Sequence, residues 1–275
     1  MRVAVARWRV EVIATEAQFW DRLNGMIQRA LAECADLLVL PENVTFELLA
    51  LKPDLEEPDF PAFLADYAET YRAAVTRDDI LIVGGSTYVR RPSGITNECP
   101  VAGVWTPKMV LTQYEVAPLG LAAGQDWVQP DHPELGVAIC YDSEFGPAAR
   151  NLAEEGRRVL AIPAFTETQR GFQRVRWCAL ARAVEHQIFV LHSSLGGSLG
   201  REPLPESCGT SAIIAPSVAP FPESAILAET GPEEHGLALA DLDFDALEQA
   251  RAEGDVRNWE DRHRSGFQVR RDFRP

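Results

Sequence analysis

Lysine is almost missing from this chain. Of 26 basic residues only Lys52 and Lys108 are lysines, which leaves few candidates wherever the chemistry needs an ammonium. Positive charge as a whole is scarce: 26 Lys plus Arg stand against 41 Asp plus Glu, a formal charge of −15. A chain this acidic is a poor partner for nucleic acid or for an anionic membrane. No apolar run reaches the about 18 residues of a membrane span, and the opening MRVAVARWRVEV is too short and too charged for a signal peptide. Five His form neither an i, i+4 pair nor an HExxH motif. Five Cys, at 34, 99, 140, 178 and 208, are odd in number and scattered, which argues against a disulfide framework or a zinc site. The expectation is a soluble, cytoplasmic protein that works without metal or cofactor.

What is present alternates between two periodicities. Val3–Ile13 reads as a strand, Glu16–Cys34 as a helix with Phe19, Leu23, Met26, Ile27 and Leu31 on one face, and Leu37–Leu40 as a fully buried strand. A proline-rich acidic loop over 51–62 precedes a helix over Phe63–Val75 and a strand over Ile80–Val83. Gly84 and Gly85 then let the backbone turn closely, without the spacing of a phosphate cradle. A hairpin is expected from strands Val101–Trp105 and Met109–Val116 across a turn at Thr106–Lys108. Further strands fall at 137–139, Arg158–Ile162, Ile188–His192, Ala212–Ala215 and Gly236–Leu242. Helices fall at Pro147–Glu155, Phe172–His186 and Phe244–Ala252, and a charged tail runs from Asn258 to Pro275. The pattern is α/β, with hairpins adding antiparallel pairing, in one domain over 1–275 with no linker or repeat.

Chemistry concentrates in GVAICYDSEF, Gly136–Phe145. A short apolar run ends in Cys140 and is followed at once by a helical pattern, so the thiol sits at the mouth of a strand beside a helix N-terminus. Such a place favours thiolate and offers backbone donors to an oxyanion. The bland reading is a buried structural cysteine. Glu42 follows Pro41 just past a buried strand, where open α/β sheets put site residues; a solvated loop acid or helix cap is the bland reading. Thr166 and Glu167 follow another strand exit and are candidates for lining a substrate pocket, against an ordinary loop. Asp142 and Glu144 read as structural, through capping and salt bridging, and Arg182 with Glu185 as an i, i+3 pair. Cys34 and Cys178 read as core, and Trp177 as either interface or core.

Taken in order, LLVLPEN, ITNEC, GVAICYDSEF, AIPAFT, RAVEH and GTSAII resemble the nitrilase, or carbon-nitrogen hydrolase, superfamily from Val3 to about Ala252. The resemblance implies a four-layer αββα sandwich, pairing into a homodimer, and cofactor-free hydrolysis of a small amide or nitrile through a cysteine acyl-enzyme. Carried over by position, Cys140 matches the nucleophile and Glu42 the general base, while Tyr141 supplies the backbone N–H after the nucleophile.

The family's lysine does not carry over. Aligned without a gap its position is Glu115, and with a small shift Gln113. Lys108 lies seven residues before Glu115. On a regular strand that separation turns it to the opposite face, about 23 Å away at about 3.3 Å per residue. A carboxylate in the cation's place beside Glu42 would raise one pKa and disfavour thiolate. The expected activity is hydrolysis of a nonpeptide C–N bond in a small carboxamide. The alternative is an impaired relative that keeps the pocket to bind an amide-like ligand or a protein partner.

Overall fold

A computed structural model describes residues 1–233 and 235–264; the rest of the charged tail, 265–275, lies outside the described residues. The first strand, β1 (Arg2–Val10), explains the architecture by alternation. Val3 and Val5 point into one core, and Ala4, Ala6 and Trp8 into a second. A strand apolar on both faces must be covered on both.

Helix α1 (Glu16–Ala32) starts at a capping box between Thr15 and Gln18, and its Phe19, Leu23, Met26 and Ile27 cover the second face. Cys34, predicted to be core, is exposed: the helix ends at Ala32, and Cys34 adopts φ +56° as the chain turns into the next strand. Strand β2 (Leu37–Val39) repeats the alternation and is parallel to β1. The helix expected over Phe63–Val75 is two short ones, α2 (Phe60–Ala65) and α3 (Ala68–Val75). Strands β3 (Leu81–Val83), β4 (Thr87–Arg91), β5 (Gly94–Val101) and β6 (Val104–Pro107) extend the sheet.

The β5–β6 hairpin corrects the sequence reading. Its turn is at Ala102 and Gly103, both with positive φ (+48° and +78°), not at Thr106–Lys108. This is the backbone that a tight two-residue hairpin requires, with alanine in a place usually given to Asn, Asp or Gly. Met109–Val116 is consequently no strand. The chain leaves the sheet after Pro107, and Gln113–Val116 is a single helical turn, α4, capped by Thr112.

The second sheet contains β7 (Leu135–Val137), followed by α5 (Gly146–Glu154), β8 (Val159–Ala164), α6 (Gln169–His186), β9 (Phe189–Gly197), β10 (Ala212–Ile214) and β11 (Ile226–Glu229). Strands β7, β8 and β9 are parallel. Strand β12 (Gly236–Asp241) returns to pair antiparallel with β1, and α7 (Phe244–Glu253) follows. The far end of β1 pairs with β9, Trp8 opposite Leu195, so the two sheets meet at one corner.

Val3, Val5, Leu37, Val39 and Val83 share a core with Val137, Ile139 and Ile162; α5 and α6 close the second sheet with Leu152, Val175, Ala179 and Ala183. The layers are helix, sheet, sheet, helix, as the resemblance to the nitrilase superfamily implied. Among the described residues no helix is long and apolar enough to cross a membrane. Trp177 on α6 is exposed, Cys178 is half-buried, and Arg182 pairs with Glu185 on the same helix.

Candidate active site

Three chain segments leave their strands beside one another, and each carries a charged or nucleophilic group. Glu42 follows β2, Lys108 is the first residue after β6, and Cys140 opens a 3-10 turn after β7. All three line a cavity of about 240 Å³ and are buried.

Lys108 is the principal correction. Its Nζ donates to Glu42 Oε1 at 2.8 Å and to both Glu115 oxygens at 2.8 and 2.7 Å. The opposite-face argument assumed a regular strand across 108–115, and the chain instead doubles back there through the loop and α4. A cation therefore sits between Glu42 and Glu115, and neither Glu115 nor Gln113 stands in its place. Gln113 is exposed and outside the cavity lining.

Asn97, from the quoted ITNEC stretch, was assigned no role from sequence. Its Nδ2 donates to Glu42 Oε1 at 3.0 Å and Glu115 Oε1 at 2.9 Å, tying the two carboxylates together. Glu115 also accepts from the Thr112 backbone N–H at 2.9 Å and hydroxyl at 3.0 Å. Glu42 Oε2 accepts from the Phe165 N–H at 3.0 Å.

Asp142, expected to cap a helix, does not, and the N-cap of the following helix is Phe145 instead; Asp142 reaches across to the segment that carries the lysine. It accepts from the Val110 N–H at 2.8 Å and from the Met109 N–H at 3.1 Å. Glu144 does form a salt bridge, to Arg174 at 2.7 Å. The glycines before β4 act as expected too: a Cβ on Gly85, at φ +68°, would lie 1.9 Å from the Pro41 carbonyl oxygen. That close approach sets the backbone that presents Glu42.

The protonation pattern follows from burial and pairing. Burial raises the Glu42 pKa, and the opposing pull of Lys108 does not cancel it, with Glu115 pushing the same way as burial. Burial would raise Glu115 as well, but the Lys108 charge and the hydrogen bonds from Lys108, Asn97 and Thr112 hold it below the usual carboxylate value. Lys108 opposes burial with two carboxylates and stays well above its ordinary value, hence charged. The two glutamates are thus driven apart, one towards a proton acceptor and one towards a fixed anion.

Cys140 does not follow the thiolate expectation. Burial, then the Glu42 carboxylate, push the thiol well above its ordinary value, against the opposing pull of Lys108. It rests as a thiol, 3.5 Å from the Phe165 carbonyl oxygen, with its backbone at φ +46°. Tyr141, Thr166 and Glu167 line the same cavity, as the sequence suggested.

This is an α/β sandwich with a buried cysteine, a lysine and two carboxylates of divergent basicity at one end of the sheets. Residues 100–252 match the sequence model of the carbon-nitrogen hydrolase family. The chain belongs to that family and so to the nitrilase superfamily. "Probable hydrolase YhcX" of Bacillus subtilis is 28% identical over 285 residues, covering 98% of this chain but only 55% of that protein. The crystal structure of Saccharomyces cerevisiae Nit3, a member of branch 10 of the nitrilase superfamily, superposes with a TM-score of 0.73 at 22% identity, over 92% of this chain and 93% of that one. A variant of the amidase from Nesterenkonia sp. AN1, carrying acrylamide added at its active-site cysteine, gives 0.67 at 22% identity, over 92% and 97%. At such identities the two structures establish the fold.

Proposed function

We propose that the protein hydrolyses the nonpeptide C–N bond of a small carboxamide through a Cys140 acyl-enzyme. The observation that carries this reading is the meeting of Cys140, Glu42 and Lys108 in one buried cavity. Glu42 takes the thiol proton as Sγ attacks the amide carbon, and returns it to the nitrogen as the C–N bond breaks and ammonia leaves. Glu42 then deprotonates a water that attacks the thioester, releasing the carboxylic acid and the thiol. A neutral thiol beside a carboxylate of raised pKa suits this, because the proton moves only as the bond forms.

Lys108 and the Tyr141 backbone N–H stabilise the charge that develops on the carbonyl oxygen. Glu115 holds Lys108 charged and in place, and Thr166 and Glu167 bind the rest of the substrate. The alternative of an impaired, ligand-binding relative drew on a missing cation, and Lys108 removes that ground. We place the protein in the cytoplasm, which suits its five free thiols. We also propose a homodimer, supported by exposed Trp177, Val184 and Phe145 on the α5 and α6 flank; light scattering of the Trp177→Glu variant tests the pairing.

The activity is tested by ammonia release from a panel of short carboxamides. Turnover that disappears in both Cys140→Ala and Glu42→Gln is the expected result. Turnover that survives either substitution overturns the assignment.

A further inference from the structure

Three buried polar atoms on residues that line the cavity have no hydrogen-bond partner among the described residues: the Tyr88 hydroxyl, Asn43 Oδ1 and Thr166 Oγ1. Tyr88 is 1% exposed and Asn43 4%. Unpartnered buried polar atoms occur elsewhere in the described chain, but these three share one cavity of about 240 Å³ with Cys140. A polar group removed from solvent is costly until something replaces its hydrogen bonds, so such atoms in a cavity wall describe what fits there.

Each of the three stands next to a group that touches the reacting end. Asn43 follows Glu42. Thr166 follows Phe165, whose N–H donates to Glu42 Oε2 at 3.0 Å and whose carbonyl oxygen accepts from Cys140 Sγ at 3.5 Å. Tyr88 on β4 is the cross-strand partner of Asn97 on β5, so both side chains leave the same face of the sheet, and Asn97 donates to Glu42 at 3.0 Å. The Tyr88 ring packs edge-on against Phe46 with 5.8 Å between centroids, and Phe46 against Phe165 at 5.6 Å. An aromatic wall therefore runs from Tyr88 to the residue that contacts both Glu42 and Cys140.

The reacting amide does not satisfy all three. Its carbonyl oxygen is taken by Lys108 and the Tyr141 N–H in the hydrolysis proposed above, and its nitrogen donates but does not accept. The hydroxyl hydrogens of Tyr88 and Thr166 still require an acceptor, which must belong to the acyl chain. A hydroxyl accepts from either and can itself donate to Asn43 Oδ1, whereas a ketone or ether oxygen only accepts. Resting on that hydrolase reading, we infer that the substrate is a hydroxylated short-chain carboxamide, with its hydroxyl on the first or second carbon beyond the carbonyl and held by Tyr88 and Thr166. Tyr88 is then a specificity-determining residue. A site built to hydrogen-bond a hydroxyl rejects the analogue that lacks it, since the wall groups would stay buried and unpartnered.

The test compares substrates that differ by a hydroxyl in place of a methyl group. The native enzyme is given 2-hydroxypropanamide against 2-methylpropanamide, and 3-hydroxypropanamide against butanamide. A preference of about tenfold or more in kcat/KM for the hydroxylated member of at least one pair is expected. Tyr88→Phe, which keeps the ring on Phe46, and Thr166→Val should each cut that ratio severalfold. A tyrosine with only a structural role would lower Tm and slow both members alike, leaving the ratio unchanged. The same pairs titrated into Cys140→Ala and followed by ligand-observed NMR make the comparison without turnover. A ratio near one in both pairs, or a ratio that neither substitution moves, overturns the inference even where amides are hydrolysed. Absence of ammonia from every amide overturns the hydrolase reading instead, and the Cys140→Ala titration then decides whether the cavity selects a hydroxyl.

Discussion

Lys108 and Glu42 form an ion pair at 2.8 Å in which each side chain is only 2% exposed. A pair this buried is costly to assemble and more costly to break, since removing one member strands the other in a medium that cannot solvate it. The structure spends three further contacts on holding it: Glu115 on the lysine, and Asn97 and the Phe165 N–H on the glutamate.

Removing the cation by Lys108→Met is expected to abolish measurable turnover, a loss of about a thousandfold or more in kcat/KM. It also leaves Glu42 and Glu115 facing one another, and folding weakens by about 3–5 kcal/mol at neutral pH. Protonation relieves the repulsion. Carboxyls with raised folded-state pKa values favour the fold below their unfolded pKa and lose that contribution as pH rises through the folded one. The variant should therefore be closest to the parent near pH 4 to 5 in urea unfolding. An equal deficit at all pH values would contradict the pairing.

Asn97→Leu leaves volume in place but removes the donor shared by the two carboxylates. A fall in kcat of about ten- to a hundredfold, with little change in KM, is expected from loss of a positioning bond to charged groups. Steady-state kinetics on any amide the enzyme accepts decides it. A change confined to KM would place Asn97 in substrate binding.

Gly85→Ala puts a methyl group 1.9 Å from the Pro41 carbonyl oxygen at a residue with φ +68°. Pro41 must move, and Glu42 with it. Stability should drop by about 1–3 kcal/mol from backbone strain, and the activity loss should exceed what the fall in Tm explains. Full activity in a folded Gly85→Ala protein would show that the Glu42 position does not depend on this contact.

Asp142 gives a pH signature. Burial raises its pKa to about 6, against the backbone N–H groups of Met109 and Val110. A raised carboxyl contributes folding stability that is complete below its unfolded value, near 3.9, and is lost as pH rises through about 6. Activity runs the other way, because the ionised form anchors the segment carrying Lys108. Asp142→Asn should flatten the stability slope between about pH 4 and 6, and remove an acid inflection near 6 from kcat/KM. Unfolding curves and a pH–rate profile over that window check both signs.

The strand exits holding Glu42 and Cys140 were legible because each is a local event. A buried apolar run ending in Pro-Glu or Cys-Tyr announces a strand end by composition alone, and the ordered motifs named the superfamily. The buried strands at 37–40 and 158–162 were legible as apolar runs, while the four layers came only with the resemblance to the superfamily. The lysine was not legible. Ala102, an unremarkable residue in a left-handed conformation, makes the β5–β6 turn, and misplacing that turn carried a regular strand through 109–116. A strand's side-chain direction depends on where the strand stops, and one missed turn reversed the inference for Lys108.

The sequence by itself determined the fold class and singled out Cys140 and Glu42 as the residues at two strand exits, because periodicity and short motifs are properties of neighbours along the chain. Only the tertiary structure decided that Lys108 meets Glu42 and Glu115 in the cavity that Cys140 lines. It also decided that Asn97 joins its carboxylates, that Cys140 rests as a thiol, and that the buried Tyr88 hydroxyl lacks a hydrogen-bond partner among the described residues. Each of these depends on distance and burial between segments far apart in sequence, where electrostatics is set by the fold and not by the order of residues.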